Sequence, residues 1–372
     1  MVESKCLYAG NCGGCSAQHI DYNKQLENKK NILSNLLNFK KVEVFYDKEY
    51  GYRNRMDFLF YAGGVGLRKK RQWRKIVDIE RCEIVNERIN ELLKEVKMYF
   101  KNVDAFDVIK KTGTFRYVVI RASNMSSSMS FVLNEDSPEL SEAVEKIKEF
   151  AEKSSAESIV ITYVSSSIDS GISNEFFVVK GSEMMKEKYL GKEFLFSIQG
   201  FFQNNSEMAE KMQEYCNLLL KKYDQLNKTR GATLLDLYGG VGTFGIINSD
   251  LFKEVITVEN DKNCGIAANL NIKRNNLLNV KAKTMDAKNL KKLGLKGQVF
   301  VINDPPRSGM DPKIIDQLNL LRPEVIIYIS CNVQQLGKDS LKFKNYKIRS
   351  VAMFDLFPQT PHIEAIVELV KI

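Results

Sequence analysis

Two kinds of hydrophobic pattern divide the chain near residue 190. Before it, apolar residues come in short β-rich pieces: "YRNRMDFLFYAGG" (52–64), "FRYVVIRAS" (115–123), "SIVITYVSSS" (158–167) and "NEFFVVKG" (174–181). Gly and Ser turns separate them, and two lysine-rich stretches with helical spacing, "NERINELLKEVKMYF" and "SEAVEKIKEFAEK", run between them. This mixture predicts an α+β domain over residues 1–190. After residue 206 the pattern becomes regular. A helix, "MAEKMQEYCNLLLKKYD", leads into the apolar strands "ATLLDLY", "EVITVEN", "QVFVINDPP", "EVIIYISC", "KIRSVAMFD" and "HIEAIVELV", most of them separated by helical segments. Continuous apolar strands alternating with helices predict a parallel sheet covered on both faces, an α/β Rossmann-like domain over residues 191–372. The pattern contains no internal repeat and no low-complexity tract.

The loops between these strands carry candidate chemistry. In "LLDLYGGVGTFG", Gly240, Gly242 and Gly245 stand in G-x-G-x-x-G spacing directly after a strand and at the opening of a helix. Glu259, at the end of the next strand, lies about twenty residues on, where an acid can hold a ribose diol. A nucleoside-containing cofactor follows, and this pattern alone leaves NAD and S-adenosylmethionine both open. Asp286, in "KTMDAKN", fits an adenine-contacting position of methyltransferases, and equally a helix N-cap. Three more segments fall at the C-terminal ends of strands, where an open parallel sheet places its ligands: "NDPPRSGMDP", "ISCNVQQL" and "FPQTPHIEAI". Asp304 before Pro305 and Pro306 forms a rigid turn that can fix a carboxylate and Arg307 over the sheet edge, although an ordinary strand-to-loop turn would look the same. Cys331 ends an apolar run, which by residue type alone makes it core filling; its place beside the glycine loop and Asp304 makes it a candidate nucleophile.

Charge and cysteine content narrow the partners. The 55 basic and 46 acidic residues leave a net charge of +9, which favours a polyanion. "GLRKKRQWRK" (66–75) concentrates basic side chains around Trp73, a composition suited to RNA phosphates with one stacking surface, or otherwise to a solvated hairpin. The N-terminus has no basic segment followed by an apolar one, and no apolar run is long enough to span a membrane, so the chain is expected to be cytoplasmic. Seven cysteines without a secretory signal point to metal or catalysis rather than disulfides. Cys6, Cys12 and Cys15 have C-x5-C-x2-C spacing, with Gly13 and Gly14 in the turn, and Cys82 follows in "DIERCEIV". Four thiolates suit tetrahedral zinc or a cubane iron–sulfur cluster, and spacing does not separate these. Cys216 and Cys264 sit in helical patterns and are expected to pack in the core.

Taken together and in this order, the cysteine group, "YRNRMDF", "GLRKK" leading into "VDIERC", "QGFFQNN", "DLYGGVGTFG", "DPPRSG", "SCN" and "FPQTPHIE" closely resemble the RNA uracil-C5 methyltransferase family over nearly the whole chain. Some members place an RNA-binding β-barrel before the cysteines; with Cys6 so near the first residue, none is expected here. Gly239, often Cys in the family, and Val333, often Pro, depart from the pattern without replacing a group the reaction needs. The resemblance implies that Cys331 adds to C6 of a uridine, that the activated C5 takes a methyl group from S-adenosylmethionine, and that Glu364 removes the C5 proton. For the cofactor it implies Gln203, Tyr238, Thr243, Glu259, Asp286 and Asp304 beside Gly240 and Gly242. It further implies a 4Fe-4S cluster on Cys6, Cys12, Cys15 and Cys82 and an rRNA or tRNA substrate; no protein partner is implied, and a monomer is expected. His362 is read as support rather than catalyst. Because Cys331 must act as a thiolate, a nearby cation is expected to lower its pKa, with Arg307 the first choice. The competing reading is a nucleotide-cofactor oxidoreductase whose cluster carries electrons, for which neither Cys331 nor Glu364 would be needed.

Overall fold

A computed structural model describes residues 2–372. An eight-stranded sheet organises the C-terminal part, in the order Val42–Phe45, Tyr346–Phe354, Glu364–Lys371, Val325–Ser330, Val299–Asn303, Thr233–Leu237, Glu254–Glu259 and Val280–Thr284. All neighbours run parallel except around Glu364–Lys371, which is antiparallel to both strands beside it. The continuous apolar runs are explained by burial on both faces. Successive residues Ile326, Ile327, Tyr328 and Ile329 alternate between two apolar clusters. One cluster takes in Met212, Cys216 and Leu219 of the helix Ser206–Asp224; the other takes in Ile314 and Leu318 of Pro312–Leu321 and Leu336 of Val333–Ser340. Cys216 is fully buried as expected, whereas Cys264, on the helix Lys262–Arg274, is only half-buried.

The N-terminal part holds a seven-stranded sheet in the order Gln72–Asp78, Gly64–Lys69, Arg55–Tyr61, Phe115–Ala122, Ser127–Asn134, Ser158–Val164 and Phe176–Lys180. Only Ser127–Asn134 and Ser158–Val164 pair in parallel, and the helix Leu140–Lys153 supplies the crossover between them. That helix and Glu87–Tyr99 contribute to an aromatic core in which Phe100 meets Phe131 at 5.0 Å and Phe150 at 5.1 Å between ring centroids. Asn86 caps the second of these helices by accepting from Ile89 N.

Elements of the N-terminal stretch cross the division expected at residue 190. The helix Tyr22–Leu37 buries Leu26 and Leu33 in the C-terminal core, and Val42–Phe45 adds a parallel edge strand to the C-terminal sheet, Val42 opposite Val351. A four-residue strand is too short for its alternation to be read from sequence. Both elements therefore belong with the strands of the second half of the chain.

Candidate active site

The glycine loop is built from below by a buried acid. Asp236 interrupts the apolar strand Thr233–Leu237, and its carboxylate accepts from Gly245 N (3.0 Å) and Thr257 Oγ1 (3.2 Å). A Cβ at Gly245 would stand 2.6 Å from Thr257 Oγ1, so only glycine lets the following helix come this near the sheet. Gly242 enters that helix at φ +89, a left-handed conformation that glycine adopts without strain. Above the loop, Glu259 accepts from Gly240 N (2.9 Å), Asn260 N (2.7 Å) and Asp261 N (2.8 Å), which holds its carboxylate at the strand end. Thr243 Oγ1 accepts from Gln213 Nε2 at 3.1 Å.

A cleft of about 400 Å³ lies beside Tyr238, the residue before the glycine loop, lined also by Val258, Met285, Asp286, Pro306 and Met310 among others; Glu259, Thr243 and the loop glycines are not part of its lining. Asp286 lines the cleft and caps the short helix Ala287–Leu293 by accepting from Lys288 N. Gln203 stands apart from this cleft, beside Arg121 and Phe202 in a separate small cavity, with its backbone carbonyl held by Asn54 Nδ2 at 3.0 Å. Asp236 and Gln213 are absent from the sequence-derived set. A carboxylate inside an otherwise apolar strand was a legible signal for Asp236; nothing in the pattern marked Gln213.

Cys331, Asp304, Arg307 and Glu364 converge at the C-terminal edge of the sheet. Cys331 follows Val325–Ser330 directly. Asn332 caps the next helix through Gln335 N and donates from Nδ2 to the Arg307 carbonyl at 2.9 Å, tying the cysteine turn to the Asp304–Gly309 loop. Ser330 Oγ accepts from Asn332 N at 3.1 Å, so both polar neighbours of the cysteine shape its turn. Glu364 begins the antiparallel strand that pairs with Val325–Ser330 and is almost completely buried.

The electrostatics of this cluster differ from expectation. Burial pushes the Cys331 thiol above its ordinary value, and Glu364 and Asp304 push further; Arg307 acts downward, as expected of it, but is outweighed. Burial and the neighbouring Asp236 carry Asp304 up to about 7. Glu364 is raised well above the usual carboxylate range by burial and then by Asp304, against Arg307. His362 sits in the loop before the strand, its ring edge-on to Phe357 at 5.9 Å, and burial together with Arg307 and Lys29 disfavours its protonation.

The family model described as tRNA (Uracil-5-)-methyltransferase matches residues 21–372. The chain belongs to that family. It is 30% identical to the tRNA (uracil(54)-C(5))-methyltransferase of Pyrococcus abyssi over 375 residues, 99% of this chain and 86% of the relative. An uncharacterized RNA methyltransferase of Caldanaerobacter subterraneus subsp. tengcongensis is 31% identical over 385 residues, 98% and 84% of the two chains. The crystal structure of the Pyrococcus abyssi enzyme with S-adenosyl-L-homocysteine superposes with a TM-score of 0.78 at 29% identity, covering 96% of this chain and 86% of that one. The doubly wound sheet is therefore that of a class I S-adenosylmethionine-dependent methyltransferase, and the chain is an RNA (uracil-C5)-methyltransferase.

The remaining cysteines form a neighbourhood rather than a closed site. Cys15 feels the charge of Cys12 and Cys6, and Cys82 that of Cys15 and Cys12. Burial raises Cys12 and Cys15 and pushes Cys82 up to about 12. Among the described residues, no group of three or more His, Cys, Asp or Glu side chains is gathered tightly enough to hold a metal ion. The composition of the set, thiols only, fits a soft-ligand centre. No described helix is long and apolar enough to cross a membrane.

Proposed function

We propose that the enzyme methylates C5 of one uridine in a structured tRNA, through a covalent bond between Cys331 and C6 of the base. The observation that carries this is the meeting of Cys331, Asp304, Arg307 and Glu364 at the sheet edge beside the glycine loop. C5 of uracil is a weak nucleophile. Addition of the Cys331 thiolate to C6 moves electron density to C5 and O4, after which C5 can attack a sulfonium-bound methyl group in line, the S–CH3 bond breaking and the neutral thioether leaving. S-adenosylmethionine supplies that methyl group. Glu364 then takes the C5 proton, the C5=C6 bond re-forms and Cys331 leaves C6. A carboxyl whose proton affinity is raised by burial is well matched to a reluctant C–H proton. Tyr238, Asp286 and the Gly240–Gly242 loop would line the cofactor, with Glu259 on the ribose, Asp304 between cofactor and base, and Thr243 and Gln203 at its margins.

The target base must leave its stack to reach Cys331. The family description and the name of the Pyrococcus abyssi relative both speak for tRNA over rRNA, and make uridine 54 the first position to examine. Cys6, Cys12, Cys15 and Cys82 would hold a 4Fe-4S cluster that cross-links the segment; uracil methylation involves no net reduction for it to serve. The enzyme would act as a cytoplasmic monomer, its halves meeting along the line near residue 190 apart from the N-terminal helix and edge strand. Mapping 5-methyluridine in total RNA from cells with and without the gene tests the reading. Loss of a single tRNA site is expected; loss of an rRNA site would redirect the substrate, and no loss would overturn it. Purified Cys331→Ala protein is expected to transfer no methyl groups.

A further inference from the structure

Among the described residues the Glu364 carboxylate has no hydrogen-bond partner, and the charges of Asp304 and Arg307 act on it. Its position is therefore set by its backbone, which pairs opposite Phe354 at the start of the strand and is entered there by the segment 355–363. That segment is gripped from outside the sheet. Gln359, buried and left-handed at φ +66, exchanges amide contacts with Gln25: Gln25 Nε2 donates to Gln359 Oε1 at 2.9 Å, and Gln359 N donates to Gln25 Oε1 at 3.2 Å. Gln25 Nε2 also reaches the Ala17 and Ile20 carbonyls, and the Gln359 carbonyl accepts from Ser16 N and Ala17 N, which directly follow Cys15. Two residues further toward the N-terminus of the loop, Lys29 Nζ holds the Phe357 carbonyl at 3.2 Å.

We infer that the Gln25–Gln359 amide pair is a positioning device for Glu364, by which the N-terminal segment sets the rate of proton removal from C5. A non-glycine residue held at positive φ in the core persists only where its surroundings over-determine it. Here the surroundings are Gln25, the residues after the cysteine loop, Glu49, which accepts from Gln359 Nε2, and Tyr52, which donates to the Pro358 carbonyl, and the consequence is passed along the chain to Glu364. Neither glutamine touches the reacting atoms, so the pair acts through Glu364. This rests on the proposed roles of Cys331 and Glu364.

The step at issue breaks the Sγ–C6 bond, re-forms C5=C6 and transfers the C5 proton to the Glu364 carboxylate. If that transfer slows while methylation continues, the methylated enzyme–RNA adduct accumulates. Gln25→Ala is expected to lower kcat about ten-fold, since a misplacement of an ångström can cost more than that, with KM for RNA and the calorimetric Kd for S-adenosylmethionine nearly unchanged. It is also expected to build an SDS-stable protein–RNA adduct carrying labelled methyl, as is expected of Glu364→Gln. Gln359→Gly, which keeps the left-handed backbone and removes only the side-chain amide, is the second variant, and it decides if Gln25→Ala shows no cooperative unfolding transition. An unchanged kcat, or a fall in kcat without methylated adduct, would overturn the inference. If Glu364→Gln itself builds no adduct, the covalent reading of the site has failed and the inference falls with it.

Discussion

At Cys331 burial outweighs charge, and this has a consequence for pH. A thiol raised above its ordinary value is mostly protonated at neutral pH, so the thiolate fraction grows with each step upward until the raised pKa is passed. The kcat/KM of the free enzyme is expected to climb about ten-fold per pH unit between roughly pH 7 and 9 rather than level off near neutrality. Arg307→Gln removes the downward influence and is expected to shift that rise to higher pH; a profile flat above pH 7 would contradict both. Asp304, held near 7, ionises within the same range and opposes the thiolate as it does so. Much of this residue set was legible in advance, because Cys331, Asp304, Arg307 and Glu364 each follow or open a strand whose apolar run is easy to read. The net direction of the thiol shift was not, since it depends on how deeply three separate loops bury one another.

Among the elements, the basic hairpin and the cysteine segment form one unit. Gly13 N donates to the Arg68 carbonyl at 2.9 Å and Lys70 N to the Asn11 carbonyl at 2.8 Å, with Cys12 bridging to Lys69. Any centre that tightens the cysteines therefore tightens the hairpin Gly64–Asp78. Its outer strand presents Trp73, half exposed, with the Arg74 guanidinium 5.1 Å and that of Arg68 5.8 Å from the ring centroid. A base stacked on one aromatic is worth roughly 1–3 kcal/mol, so Trp73→Ala is expected to weaken RNA binding about ten-fold or more in fluorescence anisotropy. Lys70→Ala should instead reduce the slope of log affinity against log salt by about one. Equal RNA affinity in both variants would leave the hairpin as no more than a solvated edge. The hairpin was readable from composition; the cysteine segment docking on it was not, because its contacts are backbone to backbone and carry no side-chain signature.

For the molecule as a whole, the join between its ends is the feature that bears most weight. Lys29 Nζ meets Asp355 Oδ1 at 2.6 Å with both side chains buried, and Tyr22 donates to the other carboxylate oxygen at 2.8 Å. Burying two charges is costly, but breaking such a pair is costlier because one charge stays behind uncompensated. Lys29→Met is expected to destabilise the fold by about 3 kcal/mol, the lower part of the usual range because Tyr22 still supports Asp355. Urea unfolding followed by circular dichroism would measure it, and the double variant Lys29→Met/Asp355→Leu, with no stranded charge, should recover most of the loss. The amino-acid sequence by itself determined the two hydrophobic regimes, the strand ends that carry Gly240, Asp304, Cys331 and Glu364, and the family to which they point, because these are properties of local periodicity and short motifs. Only the tertiary structure decided that Tyr22–Leu37 packs on the C-terminal sheet and Val42–Phe45 completes its edge, that Gln25 holds Gln359, and that burial governs the thiol of Cys331. Each of these depends on residues far apart in the chain, whose meeting is settled by packing and by pairing of buried polar groups that no local pattern encodes.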